Sequence, residues 1–484
     1  MEMPDPKAAI LARKPEIVAR LRDVLPADAV IDDPAETRAY ECDALSAYRC
    51  QPLAVVLPRS TAEVAAALSL LHEMGVPVVP RGAGTSLAGG SMPQADSVVL
   101  GLARMNAVLE TDYTNRLIRV QAGRTNLSVT GAVESDGWFY APDPSSQLAC
   151  AISGNIAMNS GGAHCLKYGV TTNNLLGVTL VTMAGEVIEI GGTGSLDAPG
   201  LDLLGLVCGS EGQLGVVTEA TLKILPKPEG ARPVLIGFSA NEIAGACVAD
   251  IIRAGILPVA IEFMDRPCIR ATEAFCGAGY PDCAALLIVE CEGSPAEIDE
   301  QIGLIREIAA RHDPVEFREA QSPEEAARIW LGRKSAFGAM GQLGDYMCLD
   351  GTIPVSELPH VLRGIEALSA QYGLEVANVF HAGDGNMHPL ILYDANAPGQ
   401  QAQCEALGAE ILKLCVAVGG CLTGEHGVGI EKRDLMEVQF GPADLEAQMR
   451  VKDVFDPKWL LNPAKVFPLA SSAARRAGDG GASL

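Results

Sequence analysis

Two segments, 80–90 and 142–162, crowd glycine together with serine, threonine and asparagine, and they restrict this chain's fold more than any other feature. The first, Arg81-Gly82-Ala83-Gly84-Thr85-Ser86, follows the strand-like run Val76-Pro77-Val78-Val79. Several backbone N–H groups can then point into one concavity, with two hydroxyls beside them, which suits phosphate oxygens. The second holds Pro142 and Ser146, then Ser153-Gly154-Asn155 and Asn159-Ser160-Gly161-Gly162. Structural turns rarely need so many small donors. Two such loops flanking one β-rich stretch predict an elongated ligand carrying a pyrophosphate. The first loop lacks the G-x-G-x-x-G spacing, and no helix with a later acidic residue follows it, so a nicotinamide dinucleotide is not indicated.

Around these loops the chain reads as several parts. Residues 1–50 form an N-terminal helical segment. A β-α-β unit follows: the apolar run 53–57, a helix opened by the Ser60/Glu63 capping box and closed near Gly75, then the strand before the first loop. Short β runs fill 97–225, with Ala184-Gly185 as a hairpin turn, so 51–228 reads as one domain. The Pro/Gly/Lys-rich stretch 226–232 marks a boundary. From there to about 424, strands such as AIEF, ALLIVE and VANVF alternate with helices, two of them opened by Ser-Pro at Ser294 and Ser322. That alternation predicts an α+β domain with helices on one face of a sheet. Residues 425–468 form a C-terminal segment, and the small polar tail 469–484 predicts disorder.

The formal net charge of −24 leaves no basic stripe for phosphates, which excludes nucleic acid as a partner and argues against an anionic membrane surface. The charged N-terminus lacks a signal-peptide core, and no apolar run reaches the ~18 residues of a spanning helix. The expectation is a cytoplasmic protein with no direct membrane insertion, held at the inner membrane only through partners. Its 14 cysteines never form a C-x-x-C pair. They predict buried thiols rather than disulfides, a zinc ribbon or an iron–sulfur cluster.

Three of the seven histidines fall in two motifs. In ANVFHAGDGNMHPLIL, Asp384-Gly385 is a strong two-residue hairpin signal. Counting outward from it pairs Gly383 with Asn386, Ala382 with Met387 and His381 with His388. Directly opposed residues have Cβ atoms ~4.5–5.5 Å apart, so both imidazoles could hold one metal ion. In GGCLTGEHGVG, glycines hedge a Glu-His pair: Glu425 offers an oxygen ligand and His426 a general base. A His₂Glu set with open positions polarises a bound hydroxyl or carboxylate. Zinc, manganese and iron are the candidate divalent ions. Arg333, on the helix begun at Ser322, can grip a substrate carboxylate bidentately. A metallohydrolase would use the same three ligands to activate water, but it leaves the glycine-rich loops unexplained.

With these motifs in place, the chain resembles flavoproteins of the vanillyl-alcohol-oxidase/p-cresol-methylhydroxylase type, in the branch of glycolate oxidases and D-lactate dehydrogenases. RGAGTSLAGG, APDPSSQLACAISGNIA, GGAHCLKYG, GSEGQLGVVTE, DGTIP, HAGDGNMHPLIL and GEHGVG carry the likeness, which runs from about Tyr40 to Pro468. It implies a two-part FAD-binding domain, an α+β cap domain over the flavin and a C-terminal return through Leu461-Asn462-Pro463. The 81–86 loop would hold the pyrophosphate, and 142–162, Gly212, Val217 and Asn462 the rest of the FAD. His381, His388 and Glu425 would bind the metal, with Arg333 and His426 facing the substrate. No histidine lies in the 81–90 loop, so the FAD is expected to be non-covalent. Cys348 and Leu390 stand where relatives acting on five-carbon dicarboxylates would carry basic or polar residues. The expected reaction is oxidation of glycolate, with D-lactate next and D-2-hydroxyglutarate as the larger alternative. Electrons would leave to a second flavin subunit and an iron–sulfur subunit, or to a quinone.

Overall fold

A computed structural model describes residues 1–192 and 200–477. The chain forms two compact units. The first comprises Met1–Gly161, Val170–Pro226 and Glu425–Leu484; the second comprises Gly162–Gly169 and Lys227–Gly424. Among the described residues no helix is long and apolar enough to cross a membrane.

In the first unit the expected strand–helix–strand forms, with a refinement. Strands Ala54–Val56 and Val78–Arg81 flank helix Thr61–Met74, but Val98–Gly101 lies between them, parallel to both. Ser60 Oγ accepts the Glu63 N–H at 3.2 Å as predicted, but the Glu63 carboxylate reaches one residue further and accepts from Arg59 N at 2.8 Å, so the cap forms without closing a full capping box. Gly75 ends the helix at φ +69°, a left-handed value that suits glycine. Val64, Leu68 and Leu71 bury against Val56, Val78, Val98 and Leu100.

The first fifty residues do not stand apart. Helix Lys14–Val24 places Ile17, Val18 and Leu21 in that same core, and Val30–Ile31 adds an edge strand beside Ala54–Val56. A five-stranded antiparallel sheet follows, ordered Val108–Asp112, Leu117–Gln121, Val216–Lys223, Leu175–Val181 and Val187–Gly191. The predicted hairpin closes it, with Val181 opposite Val187. Its turn glycine, Gly185 (φ +87°), lies so close to helix Thr61–Met74 that a Cβ there would stand 2.7 Å from Ala65 O. The C-terminal segment returns along the free edge of Val78–Arg81. Val78 N donates to Leu460 O at 2.8 Å and Asn462 N to Val78 O at 2.7 Å.

The tail departs from expectation. Leu469–Ala477 is helical because Arg475 forks onto Glu446 at 2.6 Å and pairs with Asp453, while Ser472 is buried. The rest of the expected disordered tail, 478–484, lies outside the described residues.

The second unit is built on antiparallel strands in the order Glu316–Glu319, Gly230–Phe238, Ala285–Gly293, Ala260–Asp265, Val376–His381, Asn386–Met387 and Gly351–Thr352. Strand Pro389–Tyr393 joins Val376–His381 to Asp345–Cys348. Ser294 and Ser322 cap their helices as predicted, each accepting from the N–H three residues on. Helices Asn241–Arg253, Pro295–Ala310, Leu358–Tyr372 and Gln400–Ala417 bury one apolar side in a core with Ile261, Phe263 and Phe380.

Helices Arg266–Cys276 and Pro323–Gly341 give no residue to that core. They cover the opposite face, which carries Glu262, so helices lie on both sides rather than on one. The signal was present in the sequence. Ala285–Glu292 is buried at every position, and its first five residues, Ala285–Val289, read as a continuous apolar run rather than a half-wet alternation.

Candidate active site

The two glycine-rich loops converge within the first unit. A Cβ on Gly82 would stand 3.0 Å from Ser153 Oγ and 3.4 Å from Gly154 N, tighter than most side-chain contacts, so the loops pack closely at this glycine. The backbone N–H groups of Gly82, Ala83, Gly84, Thr85 and Ser86 donate to no acceptor among the described residues. The Ser153 hydroxyl is buried and lacks a partner as well. Five consecutive amides and an orphaned hydroxyl form a nest for an anion, and they fit the pyrophosphate of a dinucleotide.

Arg81 turns away from this nest. Its Nη1 donates to Cys42 O at 2.8 Å and its guanidinium lies over the Tyr40 ring, 5.7 Å from the centroid. Ser86 Oγ accepts from Ala88 and Gly90 amides, which leaves its O–H to donate outward.

Other expected loop residues hold the scaffold. Asn155 accepts from Asn126 Nδ2 at 3.1 Å; Asn126 also donates to Pro142 O. Asn159, at φ +52°, accepts from Thr172 N at 2.9 Å. Ser146 O accepts from Ala149 and Cys150 amides, and Val217 is a ladder partner of Leu180. Asn462 clamps two segments: its Nδ2 donates to Gly90 O at 3.1 Å and to Glu211 O at 2.7 Å, and its backbone carbonyl accepts from Gln213 Nε2 at 2.9 Å. Gly212 packs against Pro80 close by. Gly162 is grouped with the second unit, one residue past the crossing.

The Glu-His loop begins where the chain re-enters the first unit, at Glu425. Glu425 Oε2 accepts from Gly161 N at 3.1 Å. His426 is largely buried and precedes Gly427 and Gly429, both at positive φ. Glu211 pins that turn, because its buried carboxylate accepts from Val428 N at 2.6 Å and Gly429 N at 2.8 Å. Burial pushes the Glu211 carboxyl above its ordinary value, and the two amides offset part of that rise.

In the second unit, Arg333 already has a carboxylate partner. Its Nε and Nη2 bind Glu262 Oε2 at 2.7 and 2.6 Å, and the other oxygen, Oε1, lies 2.7 Å from His381 Nδ1. Glu262 is fully buried. Burial alone would raise its carboxyl, but the charge of Arg333 and the hydrogen bonds from His381 and Arg333 overcome this and hold it down to about 2. An ionised carboxylate only accepts, so His381 carries its proton on Nδ1, and Nε2 is the lone-pair nitrogen. His388 Nδ1 lies 3.2 Å from Leu349 O, a pure acceptor, which selects the same tautomer. Both rings are buried, at 5% and 2% exposure. Two dry imidazoles, each with Nδ1 tied back to a pure acceptor, are of the type that fits a divalent metal.

The hairpin register differs from the expected one by two residues. His381 opposes Asn386, and Asn378 opposes Pro389, so His388 does not face His381 directly. Residues 382–385 form a wider turn. Gly383 N donates to Ile261 O at 3.1 Å, Ile353 N to Gly385 O at 3.0 Å, and Asn386 N to Asp384 Oδ1 at 3.1 Å. Neighbouring strands thus hold the turn open and prevent a two-residue closure. A slip of two keeps every side chain on its face. The two rings therefore still meet diagonally, 5.1 Å between centroids and 88° between planes.

Three functional candidates escaped the sequence reading. Glu262 was visible only as the single charge within the strand AIEF. Asp350, fully buried, accepts from Thr423 and from Gly424 N at 3.0 Å, and so fixes the residue before Glu425. Glu211 lies inside GSEGQLG, where a glutamate reads as a solvated turn residue. Cys348 and Leu390 are cross-strand partners, and both are buried.

Residues 52–191 match the family described as FAD binding domain, and 227–466 match FAD linked oxidases, C-terminal domain. The chain is 49% identical to glycolate oxidase subunit GlcD of Escherichia coli over 454 residues, covering 93% of this chain and 91% of that protein. It is 30% identical to a D-lactate dehydrogenase of Anaerostipes hadrus, covering 93% of this chain and 97% of that one. The fold is that of p-cresol methylhydroxylase, with a TM-score of 0.80 at 17% identity over 96% of this chain and 98% of the other.

Proposed function

This chain belongs to the FAD-linked oxidases, and from that membership we propose that it oxidises a small 2-hydroxy monocarboxylic acid, glycolate or D-lactate, to the 2-oxo acid. The observation that carries the proposal is the 49% identity to a glycolate oxidase subunit across nearly all of both chains. The first unit is the FAD-binding domain and the second the cap domain. The amides of Gly82–Ser86 and the Ser153 hydroxyl hold the pyrophosphate. Non-covalent attachment follows from a loop 81–90 that contains no histidine. When bound, FAD supplies the two-electron acceptor for the hydride equivalent lost from C2 of the substrate.

The chain's own groups do the rest. Arg333 binds the substrate carboxylate through Nη1, since Glu262 occupies its Nε and Nη2 side. His381 and His388, with Glu425 as oxygen ligand, would hold a divalent metal (zinc, manganese or iron), which would polarise the hydroxyl. His426 takes the hydroxyl proton. Apolar Cys348 and Leu390 offer no second cation, which supports a monocarboxylate over D-2-hydroxyglutarate. Electrons leave to a second flavin subunit and an iron–sulfur subunit, or to a quinone, and such partners would keep the protein peripheral at the inner membrane. The relative's description as a subunit supports partners of this kind.

The test is an anaerobic visible spectrum with glycolate, D-lactate, L-lactate and D-2-hydroxyglutarate added in turn. Bleaching by glycolate or D-lactate, faster than by the dicarboxylate, is the expected result. A flavin that only D-2-hydroxyglutarate bleaches overturns the substrate assignment.

A further inference from the structure

We propose that Glu262 is a positioning residue that couples metal binding to substrate-carboxylate binding, orienting His381 with one oxygen and Arg333 with the other. This inference rests on the metal and substrate roles given above to those two residues.

The geometry is specific to this carboxylate. Glu262 sits mid-strand in Ala260–Asp265, directly opposite His381 in the ladder, so its Oε1 reaches Nδ1 of the cross-strand neighbour at 2.7 Å. Oε2 faces the helix Pro323–Gly341, from which Arg333 reaches it with two nitrogens. One side chain with no solvent exposure therefore sets the ring orientation and tautomer of a metal-type histidine and the pose of the guanidinium. A carboxylate behind a ligating histidine raises the ligand's basicity, and its loss typically costs ~10–100-fold in metal affinity. Ion-pair partners on the neighbouring strand are arranged otherwise. Glu290 binds His164 Nε2 and Trp330 Nε1, and neither histidine of the pair.

The experiment uses the full-length holoenzyme and the variants Glu262→Gln and Glu290→Gln. Metal affinity is measured by competing Zn²⁺ or Mn²⁺ against a chelator, and KM and kcat are measured for the 2-hydroxy acid. Glu262→Gln should lose roughly 10–100-fold in metal affinity and raise KM in the same protein, at unchanged FAD content. Glu290→Gln should keep wild-type metal affinity. An unchanged affinity in Glu262→Gln overturns the coupling while leaving the metal site standing. A wild-type protein that binds neither ion overturns the metal reading and the coupling with it. Should Glu262→Gln fail to fold, the wild-type protein decides: ¹⁵N-histidine NMR of the metal-free protein should show His381 protonated at Nδ1, and protonation at Nε2 refutes the proposal.

Discussion

Gly84→Ala tests the loop junction most directly. Gly84 has φ +75°, and a Cβ there would fall within the Arg81 guanidinium, 2.8 Å from its Nε. The methyl group acts twice. A left-handed backbone at a non-glycine residue costs ~1–2 kcal/mol. Displacing the guanidinium also breaks its 2.8 Å bond to Cys42 O and its contact with the Tyr40 ring. A hydrogen bond from a charged group contributes ~1.5–3 kcal/mol, and Arg81 is only partly buried, so the lower end applies. The sum, about 2.5–3.5 kcal/mol, corresponds to roughly 60- to 300-fold weaker FAD binding at ~1.4 kcal/mol per tenfold. FAD affinity is read by recovery of flavin fluorescence as the apoprotein is diluted. Arg81→Ala/Gly84→Ala removes the collision and keeps only the backbone term, so it should bind FAD no worse than Gly84→Ala alone. An affinity of Gly84→Ala within about threefold of wild type would refute the reasoning, because the loop would then tolerate a side chain where five amides are meant to face phosphate.

Arg333→Met leaves Glu262 buried with one partner fewer; breaking such a pair costs ~3–5 kcal/mol, so urea denaturation should show a loss of that order alongside a raised KM. The pH dependence of stability should carry two opposed components from the second unit. Asp265, buried at the start of helix Arg266–Cys276, has its carboxyl pushed up to about 7 by burial, despite hydrogen bonds from Asn378. An acid whose folded value is raised stabilises below its unfolded value of 3.8 and loses that stability as pH rises through 7. Asp265→Asn should therefore flatten the fall between pH 4 and 7, and a melting-temperature profile identical to wild type would contradict this. Glu262 acts in the opposite sense, its contribution being lost as pH falls from 4.5 towards 2. All fourteen cysteines are free and Cys421 alone is exposed. Ellman titration should find Cys421 reacting first in the native protein and fourteen thiols after denaturation without reductant. Fewer than fourteen would mean a disulfide.

The local rules were legible wherever one stretch of chain satisfies its own chemistry. Ser60, Ser294 and Ser322 cap their helices because a cap needs only the next three residues, and Gly75 ends its helix for the same reason. The glycine density of 81–86 and 153–162 marked two loops that approach closely, because close backbone approach favours glycine whatever the fold. That the two histidines of one hairpin share a face was legible as well, since side chains alternate with period two.

What remained undetermined were the quantities set by distant partners. The hairpin register moved by two residues because Ile261, on a neighbouring strand, and Ile353, just past another, hold the 382–385 turn open. Arg333 read as a grip for a substrate carboxylate or as a surface salt bridge until the fold placed buried Glu262 against it from a strand 71 positions away. Leu469–Ala477 reads as too polar to order, yet Arg475 finds Glu446 and Asp453 on a neighbouring helix. The sequence by itself determined which groups are available and on which face they lie, because propensity, capping and alternation act over a few residues. Only the tertiary structure decided which of them meet, because a contact such as Glu262 with Arg333 and His381 joins three elements whose mutual placement no local pattern encodes.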